Sequence, residues 1–413
     1  MEGYNKKVIM SYWTICRMKT TKKIYVKVSI IFLLGGILLF SSCEKEENQK
    51  IEANRKTLFM YLPWSSNLTN YFYNNISDLE KCITKIGLNN EKVIVFISTG
   101  STEAMMFEIV SSHGRCKREI LKKYKSPPFT TIDGITAILN DVKAFAPASV
   151  YTMIIGCHGM GWLPVYEMKV RSAPHMKMHW EYQGVPLTRY FGGLTAEYQT
   201  DIKSLASGIA NAGMKMEYIL FDDCYMSSIE VAYELKDVTK YLIGSTSEMM
   251  AYGMPYAAIG EYLLGNPDYQ SGCEEFYNFY STYEIMPCGT LAVTDCSELE
   301  NMAAIIKSIN SKYSFDKSLR GTIQRLDGYT PVIFYDFADY ITSLCNDPIL
   351  LNQFREQLNH LVPYKTHTKN FYTMAKGIIP INTFSGITTS DPSDNPMTCL
   401  LYTSPSPRDG ATS

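Results

Sequence analysis

The sequence has no CxxC pair, no internal repeat and no apolar run long enough to cross a bilayer. Each absence excludes something. Without closely paired cysteines there is no zinc ribbon and no thioredoxin-type redox motif. Without repeats there is no solenoid or propeller. The longest apolar stretch, residues 28–40, has thirteen residues, whereas a spanning helix needs about 18–20. Basic charge is also scarce. Residues 1–42 hold seven of the 39 Lys/Arg and one of the 41 Asp/Glu, so the remainder carries 32 basic against 40 acidic residues, a formal −8. A mildly acidic body lacks the basic footprint of nucleic-acid binding, and no nucleic-acid partner is expected. With 46% hydrophobic and 19% charged residues, the chain is neither disordered, nor collagen, nor a coiled-coil rod. At 413 residues it is long enough for a sizeable core, since a domain of about 300 residues buries roughly 75% of its unfolded surface.

The two ends stand apart from the body. Lys19, Lys22, Lys23 and Lys27 precede the apolar stretch, then Ser41, Ser42 and Cys43 follow it. A basic segment, a short apolar run and small residues before a cysteine resemble a bacterial lipoprotein signal, although Phe40 stands where Leu is usual. Residues 1–42 are therefore expected to be a signal peptide with its true start at Met18, and Cys43 the lipidated residue. The protein is then held by its lipid chains at the bacterial outer membrane or cell surface, each buried methylene worth about 0.8 kcal/mol. Residues 43–55 read as a flexible linker whose only apolar side chains are Ile51 and Ala53. Its acidic start (Glu44, Glu46, Glu47) resembles the export tags of Bacteroidetes surface lipoproteins. The last residues, 397–413, fit neither helix nor strand. They resemble translated sequencing-adaptor read-through and are expected to be foreign, with the natural domain of residues 56–396 truncated at its C-terminus.

Between the ends, short apolar runs alternate with helical spacing. Runs at 57–62, 92–98, 150–156, 216–221 and 241–245 read as strands, with a further strand at 104–110 beside the second. Helices are predicted over 68–86, from Ile132 to before Pro147, over 200–212 and over 226–235. This alternation implies βαβ units around a mostly parallel sheet, whose strands read as continuous because both faces are buried. After Tyr256 the pattern weakens. A strand at 290–294, a helix at 299–309 and a strand–helix stretch at 331–344 read as a C-terminal α/β extension, either a continuation of the same domain or a helical appendage. Residues 158–200 form a long loop.

Open parallel sheets carry their sites at the carboxyl ends of strands. Two strand ends here bear reactive side chains: Cys157-His158-Gly159-Met160-Gly161-Trp162 after one, and Asp222-Asp223-Cys224 after another. A histidine and a cysteine 66 residues apart can converge at one sheet edge as base and thiol nucleophile. Cys224 is expected to head a helix, whose dipole favours thiolate. Gly159 permits close backbone approach. The other body cysteines, at 82, 116, 157, 273, 288, 296 and 345, show no disulfide framework and read as small buried hydrophobes. His113-Gly114 reads as a solvated turn. His175 and His179 read as incidental loop histidines, and His360 and His367 carry no recognisable site.

APASVYTMIIGCHGMGW, and the stretch ending in YILFDDCYMSSIEVAYEL, resemble the clostripain family of cysteine peptidases in the caspase-like clan. The likeness runs from about Thr57 to Tyr256 and more loosely to Ile387. It implies a caspase-like three-layer α/β/α sandwich with a mostly parallel sheet. It implies a cysteine endopeptidase in which His158 is the general base, Cys224 the nucleophile, and the N–H groups of Gly159 and Cys224 the oxyanion hole. Asp222 would select Arg or Lys before the scissile bond, with Glu248 a second pocket candidate. The family is typically a zymogen, which makes Lys169, Arg171 and Lys177 the candidate self-cleavage sites. Asp223 stands where a small residue is usual and Tyr225 where Leu is, the latter a packing change expected to be tolerated. Some members depend on Ca²⁺, which keeps Ca²⁺ open as a cofactor here, although no oxygen-rich loop has EF-hand spacing; no metal or cofactor is expected to be required. The chain is expected to act as a monomer on peptide or protein substrates. The competing reading is a catalytically inactive caspase-like binding lipoprotein, which retention of both His158 and Cys224 argues against. A helical-repeat glycan-binding lipoprotein is disfavoured by the strand-rich alternation.

Overall fold

The structure is a computed structural model that describes residues 54–163, 165 and 196–391. Cys43, Lys169, Arg171, Lys177, His175, His179 and the segment 397–413 lie outside the described residues.

The elements follow one another as β1 (Asn54–Leu62), α1 (Thr69–Ile86), β2 (Glu91–Ser98), β3 (Glu103–Ser112), β4 (Arg115–Lys125), α2 (Ile132–Phe145), β5 (Ala148–Ile155), α3 (Ile202–Asn211), β6 (Met216–Phe221), α4 (Ile229–Leu235) and β7 (Thr239–Gly244). They continue as α5 (Tyr256–Leu263), α6 (Tyr269–Ser281), β8 (Thr290–Asp295), α7 (Leu299–Asn310), β9 (Tyr335–Asp336), α8 (Phe337–Leu344), α9 (Pro348–Leu361), β10 (Tyr364–His367), β11 (Asn370–Thr373), β12 (Gly377–Pro380) and β13 (Thr388–Thr389).

Nine strands form one sheet in the order β10-β8-β7-β6-β5-β1-β2-β3-β4. The five central strands, β7-β6-β5-β1-β2, are mutually parallel. Hairpin strands β3 and β4 extend one edge antiparallel, and β8 and β10 extend the other. Helices cover both faces. Along β1, Leu58, Met60 and Leu62 pack with α1, α5 and α6 on one face. Phe59 and Tyr61 pack with α2, α3, α4, α7 and α9 on the other. This period-two division explains why β1 reads as continuously apolar. The fold is the expected three-layer caspase-like sandwich.

The C-terminal region continues the same domain and is no helical appendage, because β8 and β10 complete the main sheet. His113-Gly114 is the tight turn of the β3–β4 hairpin, with both residues at positive φ. The basic segment after it is an edge strand. Its lysines and arginines blunt an open edge that would otherwise invite another strand. Among the described residues no helix is long and apolar enough to cross a membrane.

Candidate active site

The parallel register brings the carboxyl ends of β5 and β6 side by side, Ile155 opposite Phe221. His158 follows the first and Cys224 the second. Both are buried. The closeness of the two turns is measured at Gly159. A methyl group built there would lie 2.2 Å from the Cys224 carbonyl oxygen and 2.8 Å from the Cys224 nitrogen. Only a residue without Cβ fits. Gly161 lies at φ 59°, and a side chain there would meet the Phe334 ring at 2.8 Å. The HGMGW segment is thus shaped by two glycines pressed against the Cys224–Tyr225 turn.

Cys224 does not head a helix, which corrects the sequence expectation. Helix α4 begins at Ile229, and its cap is Ser228, whose hydroxyl accepts from Val231 N–H. Tyr225 at φ 61° turns the chain. Ser227 then runs extended, its N–H donating to Ser245 O and its carbonyl accepting from Thr388 N–H. The helix dipole therefore starts too far along the chain to act on the sulfur, since its influence fades within the first turn. Backbone groups serve the sulfur instead. Met249 N–H donates to Cys224 Sγ at 3.1 Å, and the thiol reaches Met249 O at 3.7 Å.

The surrounding carboxylates have separate jobs. Asp222 accepts from Met254 N–H at 2.8 Å and from the Tyr256 hydroxyl at 2.9 Å. It therefore ties the segment after β7 to the candidate pocket and caps no helix. Asp223 reaches across to β5. One oxygen accepts from Cys157 N–H at 2.6 Å, and the other lies 3.5 Å from Cys157 Sγ. A side chain that the sequence places in a small-residue position thus clamps the residue before His158. Glu248 accepts from the Tyr225 hydroxyl at 2.8 Å and from Met374 N–H at 3.0 Å. Tyr225 also stacks on Phe334, with ring centroids 4.9 Å apart. Burial pushes the Tyr225 and Tyr329 phenols well above their ordinary range, so both stay neutral hydroxyl donors. Asp327 organises the loop beneath Phe334, accepting from the N–H groups of Tyr329, Ile333 and Phe334. Burial outweighs those hydrogen bonds and raises its carboxyl.

Two contacts could not be read from the sequence. His158 Nε2 lies 2.8 Å from Asn67 Oδ1, just before α1. Trp162 Nε1 donates to Ser390 Oγ at 2.8 Å, which gives the Gly-Trp ending of the motif a structural purpose. The described body cysteines are all free thiols. Burial pushes Cys82 and Cys288 up to about 11, and Cys273 and Cys296 to about 12, so these four are inert at neutral pH. Among the described residues no cluster of three or more His, Cys, Asp or Glu could hold a metal ion.

Comparison with known proteins places the fold among cysteine proteases. The sequence model of the clostripain family matches residues 60–379. A secreted C11 cysteine protease from Bacteroides thetaiotaomicron, "iotapain", is 58% identical over 85% of this chain and 97% of its own, with a TM-score of 0.79. A clostripain from B. thetaiotaomicron ATCC 29148, crystallised with the peptide inhibitor BTN-VLTK-AOMK, is 65% identical over 51% of this chain and 95% of its own, with a TM-score of 0.50. An inactive zymogen C11 protease from Parabacteroides distasonis shares the fold at 24% identity, covering 84% of this chain and 95% of its own, with a TM-score of 0.69. No match was found among curated proteins.

Proposed function

This chain belongs to the clostripain family of cysteine proteases, and from that premise we propose that it cleaves peptides after Arg or Lys with Cys224 as nucleophile and His158 as base. The contact that supports this most directly is Gly159 against Cys224, which draws together two turns separated by 65 residues. Cys224 Sγ attacks the scissile carbonyl carbon as its proton passes to His158. The carbonyl oxygen becomes an oxyanion held by the N–H groups of Gly159 and Cys224. The carbon–nitrogen bond then breaks, the amine leaves with the proton from His158, and a thioester remains. Water attacks that thioester and gives its proton to His158. The carbon–sulfur bond then breaks, the acid product departs, and the proton on His158 returns to the Cys224 sulfur, restoring the thiol and the neutral imidazole.

Asp222 supplies the negative charge that selects a basic residue, while its bonds to Met254 and Tyr256 hold it in place. The related clostripain's inhibitor carries lysine next to its AOMK group, which favours the same preference here. Glu248 supports the pocket through Tyr225. Self-cleavage at Lys169, Arg171 or Lys177 activates the enzyme, in keeping with the burial of Cys224 and its hold by Met249. Residues 1–42 direct export, Cys43 carries the lipid, residues 43–55 are the tether, and residues 56–396 are the peptidase domain, followed by a foreign tail at 397–413. The protein acts as an outer-membrane or cell-surface monomer without an obligatory cofactor.

A fluorogenic panel ending in Arg, Lys, Asp or Leu tests this, run before and after incubation that allows processing. We expect hydrolysis after Arg and Lys only, its loss in Cys224→Ala, and a drop in basic selectivity of about tenfold in Asp222→Asn. Activity surviving in Cys224→Ala would sink the assignment. Mass spectrometry of the incubated protein locates the cut, and an intact segment 158–200 in active enzyme would overturn the activation step.

A further inference from the structure

A histidine that serves as base must present one particular nitrogen. Nothing in a lone imidazole decides which, because its neutral tautomers are close in energy and a hydrogen bond to the other nitrogen selects between them. His158 is buried, so ring orientation here depends on protein neighbours. The structure supplies such a neighbour. Asn67 Oδ1 lies 2.8 Å from His158 Nε2, across 91 residues of sequence. An amide oxygen bears no proton and can only accept. The imidazole therefore donates from Nε2, and a neutral ring carries its basic lone pair on Nδ1.

Asn67 is itself held. Ser66 adopts φ 62°, Asn67 N–H donates to Ser65 O at 2.7 Å, and the next residue, Leu68, is fully buried ahead of α1. An exposed residue is thus carried on a fixed turn with its side chain directed at a buried ring. Asn67 caps no helix: the position before α1 belongs to Leu68, with no side-chain cap. The His158 backbone is steadied separately, through Asp223 and Cys157 N–H.

We propose that Asn67 is the positioning residue of this peptidase, selecting the Nε2–H tautomer of His158 so that Nδ1 receives the proton of Cys224. This rests on His158 acting as the base. When the proton arrives, Nε2–H still donates to Asn67, so the same bond supports the imidazolium. The titratable groups at these strand ends besides His158 are Cys157, Asp222, Asp223 and Cys224, and the two Asn67 variants below leave all of them unchanged.

The experiment compares wild type with Asn67→Ala, Asn67→Asp and Cys224→Ala, all incubated to allow processing. Asn67→Ala is expected to lose about a hundredfold in kcat with little change in KM, the scale of a misplaced catalytic group. Asn67→Asp is expected to recover most of the rate, with the pH limb set by the imidazolium moved to higher pH, because a carboxylate strengthens the charged ring. Thermal melting of Asn67→Ala, at an exposed site, is expected to match wild type. Imidazole ¹⁵N shifts of His158, assigned against His158→Gln, provide a readout independent of turnover. Nε2 is expected to be the protonated nitrogen in wild type, and a tautomer mixture is expected in Asn67→Ala. Unchanged kcat, pH profile and ¹⁵N shifts in Asn67→Ala, beside a dead Cys224→Ala, would overturn the role of Asn67 and leave the dyad standing. A fully active Cys224→Ala would instead remove the dyad, and the ¹⁵N shifts would still decide the hydrogen bond.

Discussion

At the amino ends of the parallel strands, Lys56 is buried and donates to the carbonyls of Leu263 and Gly265, while Glu91 accepts from Gly265 N–H. At the carboxyl ends, Asp222, Asp223 and Glu248 are equally buried and accept backbone and tyrosine donors. Both ends use the same device, a buried charge that satisfies loop backbone. At the amino end it closes the C-terminus of α5, where a cation also suits the helix dipole. At the carboxyl end it fixes the turns that carry a thiol and an imidazole. Buried charge alone therefore does not mark a catalytic site in this fold. What distinguishes the two ends is the reactive group resting on the secured backbone.

Substitutions at the two ends can break or sharpen this contrast. The largest effect is expected from Gly159→Ala, because its methyl would press on the Cys224 carbonyl. We expect at least about a hundredfold loss of kcat/KM and a destabilisation of about 1–3 kcal/mol from overpacking, read by peptide hydrolysis and urea unfolding. Wild-type activity in this variant would mean the two turns do not approach as described. Next, Asp223→Ala strands the buried Cys157 N–H. A loss of about 2 kcal/mol is expected, with reduced kcat, and Asp223→Asn should regain much of both because its amide oxygen still accepts.

The smallest effect is expected at the amino end. Lys56→Met should leave kcat unchanged and alter only the pH dependence of stability. Burial lowers the Lys56 ammonium to about 8, below its ordinary value in the unfolded chain. Between those values the unfolded state binds more protons, so wild-type stability should rise with pH relative to Lys56→Met, by about 1 kcal/mol from pH 7 to 9. Paired unfolding curves at the two pH values measure it, and a flat difference would show that the lysine titrates normally.

The central strands were legible because parallel strands covered on both faces leave continuous apolar runs, as at 57–62, 92–98 and 216–221. The two turns that meet at Gly159 were legible because they follow the runs at 150–156 and 216–221. The C-terminal third was harder. Strands β9 to β13 have two to four residues each, too few to show a period. Helix α6 is rich in Tyr and Phe, which also favour strands. Helix α9 did carry a readable signal, with Asp347 as its cap and Pro348 in its first turn. The helix after Cys224 was placed too early because MSSIEVAYEL keeps helical composition, whereas Ser227 and Ser228 are taken by pairing with Ser245 and Thr388. Asn67 left no trace, since a single polar residue in a turn has no periodicity. Only three-dimensional proximity reveals it.

The turn holding Cys224 leans on residues far downstream. Ser227 Oγ donates to Gly386 O, Glu230 accepts from Ser390 N–H, and Trp162 donates to Ser390. These props are separated from the turn by roughly 160 positions of polypeptide. A growing chain on the ribosome therefore holds its thiol on a turn that still lacks these downstream props. The support of the thiol is complete only once the final stretch has emerged and folded back.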